Sequence, residues 1–144
     1  MSFNTISVIG LGYIGLPTAA AFASRQQRVV GVDINENAVA TINRGEIHIV
    51  EPDLGLAVKA AVEGGYLSAR TTPVEADAYL IAVPTPFKGE HEPDMAYVKA
   101  ATEAIAPVLK KGSLVILEST SPVGATEQIA EWLAQLRSDL SFPQ

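Results

Sequence analysis

The chain has 144 residues, 48% of them apolar and 18% charged, which predicts one α/β domain with a substantial core. Its net charge of −6 and its pI near 4.8 argue against nucleic acid as a partner. Because no cysteine occurs, disulfides, thiolate metal sites and a cysteine nucleophile are excluded within these residues. The apolar runs are too short to span a membrane, and no basic segment typical of a signal peptide precedes the first of them. We therefore expect a cytoplasmic protein.

The first part of the chain has the order of a dinucleotide-binding unit. An apolar strand over residues 6–9 leads into the turn Gly-Leu-Gly-Tyr-Ile-Gly at residues 10–15, and the small residues at 18–23 predict a helix. A second strand over residues 28–33 ends in a carboxylate. The glycine pattern alone is a weak signal, but with these flanking elements it predicts a dinucleotide site. The alternative is a flavodoxin-like sheet whose glycines serve only the turn.

The three glycines and the acid each have a predicted role. Gly10 permits the tight turn, Gly12 lets backbone approach a pyrophosphate, and Gly15 lets the helix pack closely against the sheet. Backbone N–H groups and the positive end of the helix dipole then hold the phosphates. Asp33, 18 residues after Gly15, is placed to meet the adenosine ribose hydroxyls. Because its charge repels a 2′-phosphate and the next basic residue is Arg44, we predict NAD as the cofactor in preference to NADP.

Downstream of this unit the predicted helices and strands alternate along the chain. Asn35 and Asp53 each precede an amphipathic segment and are predicted to cap the helices that follow. Pro73 is predicted to be the first residue of a short helical turn. The third, fourth and fifth strands are predicted over residues 66–71, 78–83 and 113–118.

Five strands alternating with helices predict an α/β fold with a doubly wound parallel sheet of the Rossmann type. The predicted strand order is 3-2-1-4-5, without a sixth strand, and the whole chain forms one domain. The last helix is expected to bury Ile129, Leu133 and Leu136. Ligands of such sheets bind at the carboxyl ends of the strands, where the order reverses. The glycine turn, Thr85 after the fourth strand and Thr120 after the fifth all fall on that edge.

Five motifs spread along the chain resemble one known family. They are Gly-Leu-Gly-Tyr-Ile-Gly-Leu-Pro at 10–17, Val-Asp-Ile-Asn at 32–35, Ile-Val-Glu-Pro-Asp-Leu at 49–54, Val-Pro-Thr-Pro at 83–86 and Glu-Ser-Thr-Ser-Pro-Val-Gly at 118–124. On these motifs the chain is similar to the NAD-binding domain of the nucleotide-sugar 6-dehydrogenases, and closer to the N-acetylhexosamine branch than to the UDP-glucose branch. The resemblance implies an oxidoreductase that oxidises the C6 alcohol of a UDP-sugar to a carboxylate with two NAD, through a cysteine thioester.

The resemblance also implies contacts for the cofactor. NAD is expected to meet the turn backbone at Tyr13 and Ile14. Thr85 and Thr126 are expected to complete the cofactor site. A purely local role stands beside each threonine, because Thr85 could simply end a strand and Thr126 could cap the last helix.

Two further residues have alternative interpretations near the reacting carbon. Thr120 matches a family threonine that helps order water there, so the resemblance implies a supporting catalytic role, but it could equally be the N-cap of the last helix. Glu118 could act as a general base, or it could be a solvated acid at the end of a strand.

Parts of the family pattern are missing from these residues. The family's nucleophilic cysteine, its acid/base lysine and its sugar-binding domain have no counterpart here, so we expect no catalysis by this chain alone. A fifth strand with an unpaired apolar edge predicts self-association. Two other interpretations stay open: a 3-hydroxyacid or 6-phosphogluconate-type dehydrogenase, which shares a Gly-Leu-Gly opening, and a stand-alone NAD-binding regulatory module.

Overall fold

Seven strands form two sheets in the computed structural model, which describes residues 4–88, 92–118 and 124–142. In chain order they are β1 (Thr5–Ile9), β2 (Arg28–Val32), β3 (Leu67–Arg70), β4 (Ala78–Ile81), β5 (Phe87–Lys88), β6 (Glu92–Pro93) and β7 (Leu114–Leu117). Five of them make a parallel sheet in the order β3-β2-β1-β4-β7, which confirms the predicted order of the five main strands. β5 and β6 pair antiparallel as a separate short ribbon, which the sequence pattern did not predict.

Helices cover both faces of the parallel sheet, as a doubly wound fold requires. One face carries α1 (Gly15–Ser24), α2 (Glu36–Asn43) and α3 (Leu54–Glu63), and the other carries α4 (Ala96–Ile105), a 3₁₀ turn (Ala106–Val108) and α5 (Ala125–Leu136). Alternate residues of β1 enter the two cores, with Val8 in the first and Ile9 in the second. The central strands are therefore mostly apolar because both of their faces are buried, with Ser7 of β1 as a buried polar residue.

The parallel register continues one residue beyond the strands at their carboxyl ends. The N–H of Gly10, just after β1, donates to Val32 O at 2.7 Å, and the N–H of Ala82, just after β4, donates to Ile9 O at 2.8 Å. These bonds hold the residues that follow β1, β2 and β4 side by side at one edge. This is the edge at which ligands of parallel sheets bind.

Two of the predicted features at helix ends and one predicted core position can be checked directly. Asn35 caps α2 as predicted, since its Oδ1 accepts the N–H groups of Asn37 at 3.0 Å and Ala38 at 3.1 Å. The predicted cap by Asp53 is wrong, because its backbone is left-handed with φ of 64° and its side chain makes no capping hydrogen bond to α3. The predicted burial of Leu136 is also wrong, because its side chain is 47% exposed at the last turn of α5.

The predicted helical turn at Pro73 is absent, and the buried hydroxyl of Tyr79 lies close to the backbone that would have formed it. That oxygen accepts the N–H of Ala76 at 2.9 Å and lies 3.1 Å from Val74 O and 3.2 Å from Val108 O. Burial raises the pKa of Tyr79 above 10.0. The connection into β4 is therefore held by one side chain and not by helical hydrogen bonds, which the local sequence could not reveal.

The two edges of the parallel sheet are finished differently. At the β3 edge, the side-chain amide of Asn43 donates to Ala69 O and accepts the Ala69 N–H, both at 2.9 Å, so it occupies the place of a further strand. At the other edge, Leu114 and Ile116 of β7 are each 42% exposed. Self-association through β7 stays a prediction, which light scattering tests.

None of the helices in the described ranges has the length and apolar character needed to cross a membrane.

Candidate functional site

The backbone of the turn after β1 requires glycine at two of its three positions. Gly10 has φ of 99°, and a Cβ there would lie 2.6 Å from Ala82 O. Gly15 opens α1, and a Cβ there would lie 1.7 Å from Gly10 O. At Gly12 a Cβ would meet nothing within 4 Å. The protein's own packing therefore explains Gly10 and Gly15 but leaves Gly12 facing open space, as approach by a ligand would require.

Leu11 anchors this turn from below. Its side chain is fully buried against Gly31 of β2, where a Cβ would come within 2.7 Å of Leu11 Cδ2. The N–H of Leu11 donates to Asp33 Oδ2 at 2.9 Å, and Asp33 Oδ1 accepts the N–H of Asn35 at 2.9 Å. Sequence reasoning missed this anchor, although a glycine inside a strand such as Gly31 is a known signal of close approach.

The residues just before α1 leave backbone donors available to a ligand. No side chain caps this helix, and no acceptor among the described residues receives the N–H groups of Tyr13 or Ile14. The first N–H groups of a helix have no partner within it, and the helix dipole places partial positive charge there. The turn and helix start are therefore suited to an anion such as a phosphate.

A cleft of about 500 Å³ opens over the turn at the carboxyl edge of the sheet. Five of the predicted cofactor residues line it: Gly10, Gly12, Tyr13, Ile14 and Asp33. The described residues that line the cleft include no lysine or arginine, and the carboxylate of Asp33 is the only charged group among them. A mostly apolar cleft with a few convergent polar groups is typical of a small-molecule site.

The opposite wall of this cleft comes from α4, which sequence reasoning did not connect with the site. Tyr97, Ala100 and Ala104 lie on one face of the helix at spacings of three and four residues, and all line the cleft. Thr71 and Pro73, after β3, line the end beside the acid. The exposed face of α4 carries no sequence signal that separates it from ordinary surface.

Three of the remaining predicted residues, Gly15, Thr85 and Thr126, are not among the residues that line the cleft. Gly15 is behind the turn, where it serves the packing of α1. Thr85 is half-buried and follows Pro84, which does line the cleft. Thr126 is an exposed second residue of α5. Thr120 lies outside the described residues.

Glu118, after β7, is held against α1 and is not a solvated acid. Its Oε1 accepts a hydrogen bond from the Thr18 hydroxyl, and its Oε2 is buried with no partner among the described residues. The interpretation as a solvated strand-end acid is therefore wrong. The bond links the end of β7 to the first turns of the helix that follows the glycine turn.

Comparison with known proteins finds relatives among one kind of dehydrogenase. A family model described as UDP-glucose/GDP-mannose dehydrogenase family, NAD binding domain, matches residues 4–143. The chain is 81% identical over 144 residues to UDP-N-acetyl-D-mannosamine dehydrogenase from Salmonella typhi, covering 100% of this chain and 34% of that protein. It is 66% identical over 143 residues to NDP-N-acetyl-D-galactosaminuronic acid dehydrogenase from Ralstonia nicotianae, covering 99% of this chain and 34% of that protein.

A solved structure gives the same result. The UDP-D-ManNAc dehydrogenase from Pyrococcus horikoshii has a TM-score of 0.89 to this chain at 40% identity, covering 93% of this chain and 32% of that one. The chain therefore spans about a third of the length of the relatives it matches.

Proposed function

Because the chain belongs to the UDP-glucose/GDP-mannose dehydrogenase family, as its NAD-binding domain, we propose that the cleft over the glycine turn is its NAD site. The observation that carries this proposal is the convergence of three features in one cleft. They are the open space in front of Gly12, the uncapped start of α1 and the carboxylate of Asp33. NAD, when bound, supplies the hydride acceptor for oxidation of an alcohol.

The pyrophosphate is placed over Gly12, where the N–H groups of Tyr13 and Ile14 are available to it. The adenosine ribose then lies beside Asp33, which accepts hydrogen bonds from its hydroxyls. The apolar end of the cleft next to Tyr97 is left for the adenine ring. Because none of the described residues that line the cleft is a lysine or arginine, a 2′-phosphate would meet the carboxylate without a compensating charge from them, which favours NAD over NADP.

The nicotinamide half is directed to the other end of the cleft, toward Val83 and Pro84 after β4. Thr85 follows directly and is proposed as a contact in this half. Thr126 is proposed to complete the site, and Thr120 to support the reaction next to it by ordering water.

For the whole protein we propose oxidation of the C6 alcohol of UDP-N-acetyl-D-mannosamine to the uronate. This proposal is supported by the 81% identity to a UDP-N-acetyl-D-mannosamine dehydrogenase. The 144 residues contain no cysteine, so a covalent thioester step needs residues outside this sequence, and this chain alone is proposed to be inactive. The proposed dependence of the whole protein on NAD and a nucleotide sugar supports a cytoplasmic location.

Calorimetric titration with NAD tests the cofactor site, with Gly12→Ala as the variant. A Cβ at Gly12 touches no protein atom within 4 Å, so the variant should fold normally. It would occupy the space proposed for the pyrophosphate, and we expect NAD affinity to fall by about tenfold. NADP should bind the wild-type chain more weakly than NAD.

Gly55→Ala is the matched control, since it adds the same methyl group in α3, where the nearest atom is Ile47 Cδ1 at 3.9 Å. This control should bind NAD like the wild type. Unchanged NAD binding by Gly12→Ala would show that the pyrophosphate does not lie over the turn. No NAD binding by the folded wild-type chain would contradict the proposed site as a whole.

The proposed substrate needs the full-length protein. NADH formation with UDP-N-acetyl-D-mannosamine, compared with UDP-glucose, is expected to favour the acetylated sugar. Equal or greater turnover of UDP-glucose would contradict the substrate proposal and leave the NAD site unaffected.

A further inference from the structure

The carboxylate of Asp33 already makes hydrogen bonds within the protein. Asp33 Oδ2 accepts the N–H of Leu11 at 2.9 Å, and Oδ1 accepts the N–H of Asn35 at 2.9 Å. Each carboxylate oxygen has two lone-pair sites, so one site on each oxygen is still available to a ligand hydroxyl. The group can therefore hold the chain and a ribose at the same time.

The Leu11 N–H lies at a sensitive place, between the two glycines whose backbone faces the cleft. Leu11 is fixed on its other side by its buried side chain against Gly31. Gly10, before it, is fixed by its N–H bond to Val32 O at 2.7 Å. Gly12, after it, has open space at its Cβ position, and its carbonyl accepts the N–H of Leu16 at 3.1 Å. Between Gly10 and Gly12, the bond to Asp33 is therefore the hydrogen bond that fixes the Leu11 N–H.

The same carboxylate also joins the turn to α2. The N–H of Asn35 donates to Asp33 Oδ1, and the Asn35 side chain in turn accepts the N–H groups of Asn37 and Ala38. Hydrogen bonds to a charged acceptor are about twice as strong as those between neutral groups. A neutral side chain at position 33 would therefore weaken the link between the turn and the start of α2.

We propose that Asp33 is a positioning residue for the phosphate-binding turn, in addition to its contact with the ribose. Its carboxylate fixes the Leu11 N–H, and through it the backbone that presents Gly12 to a pyrophosphate. The inference rests on the proposed NAD site and adds a second role for one of its residues. It follows that replacing Asp33 alone does not convert the site to NADP, because the change that removes the repulsion also releases the turn.

Two probes separate the two roles: ADP, and 2′,3′-dideoxy-ADP, which lacks the ribose hydroxyls but keeps the pyrophosphate. Calorimetry compares the wild-type chain, Asp33→Asn and the control Glu36→Gln, which removes an exposed negative charge three residues away. We expect Asp33→Asn to weaken both probes, and the dideoxy probe by about tenfold. Glu36→Gln should bind both like the wild type. If Asp33→Asn weakens only ADP, Asp33 acts through the ribose alone and the inference is overturned.

Amide hydrogen exchange in the ligand-free chain gives a second readout that needs no binding. Leu11 should be protected in the wild type and in Glu36→Gln, and should exchange faster in Asp33→Asn while amides of the central strand β1 stay protected. Unchanged protection of Leu11 would overturn the inference. Asp33→Glu, which keeps the charge but displaces the oxygens, is measured in the same way should Asp33→Asn not fold. If the wild type binds neither probe, the NAD site fails, whereas the exchange result still decides the role of Asp33.

Discussion

The two ends of the parallel sheet each carry an aspartate that accepts backbone N–H groups, and the two are used differently. At the carboxyl end, Asp33 holds the glycine turn and faces the cleft. At the amino end, Asp77 Oδ2 accepts the N–H groups of Asn4 at 2.8 Å and Thr5 at 3.0 Å. Lys110 Nζ lies 3.2 Å from Asp77 Oδ1. The same carboxylate chemistry thus ties down the chain at both ends.

The two aspartates differ in whether a basic side chain lies beside them. The Thr5 N–H, Lys110 and the Asn4 N–H together lower the pKa of Asp77 below 3.8. The hydrogen bond to Asp77 in turn raises the pKa of Lys110 above 10.5. Among the described residues no lysine or arginine forms an ion pair with Asp33. The difference indicates that the amino end is completed by the protein itself, whereas the carboxyl end keeps an uncompensated acid and open N–H groups for a ligand.

The largest effect is expected from adding a methyl group behind the turn. In Gly15→Ala the Cβ would lie 1.7 Å from Gly10 O, so the turn or α1 must move. We expect a loss of unfolding free energy on the order of 4 kcal/mol, measured by urea denaturation. Gly55→Ala, the same change in α3, should unfold near the wild-type midpoint. A Gly15→Ala chain as stable as the wild type would show that the packing of α1 on the turn is not required.

The wall opposite the turn is expected to affect binding without affecting stability. Ala104 is an exposed residue of α4 that lines the cleft, so Ala104→Trp would fill part of the space proposed for NAD. NAD affinity should fall by about tenfold in calorimetric titration, with little change in the unfolding midpoint. Ala60→Trp, on the exposed face of α3, is the control and should bind normally. Equal NAD affinity for both variants would remove α4 from the site.

The smallest effect is expected at the amino end, where Asp77→Asn should lower the unfolding midpoint by a few degrees and leave NAD binding unchanged. Because the pKa of Asp77 is lowered from 3.8 in the folded chain, its contribution is complete above that value. It is lost as the pH falls through the lower, folded-state value. Denaturation curves of wild type and variant, measured from pH 7 downward, should therefore converge in strong acid. A difference that grows below about pH 4 would contradict this sign.

The sequence predicted the parts of this molecule that depend on short-range patterns. The strand order followed from alternating apolar runs and the right-handed connections between parallel strands, and the structure confirms it. The Asn35 cap follows from its place just before an amphipathic segment and is also confirmed. The glycine turn had a pattern with a known backbone geometry, so Gly10 and Gly15 could be understood before their contacts were seen.

What the sequence did not predict depends on contacts between distant residues. The bond from Leu11 to Asp33 spans 22 positions, and the α4 wall of the cleft is more than eighty residues from the turn. The predicted cap at Asp53 is wrong for a different reason: the backbone of Asp53 is left-handed, which residue type alone does not reveal. Pro73 is predicted to open a helical turn because proline favours the first helical position, and nothing local reveals that the hydroxyl of Tyr79 approaches the neighbouring carbonyl of Val74.

The most direct test of the contrast between the two ends is an NMR titration of the labelled wild-type chain with NAD. The amide signals of Leu11, Gly12 and Asp33 should shift together with those of Ala104 in the opposite wall. The amides of Thr5 and its neighbours at the amino end should not move. Saturable shifts confined to the residues around Asp77 and Lys110, or no shifts in a folded chain, would contradict the assignment of the carboxyl-end cleft as the NAD site.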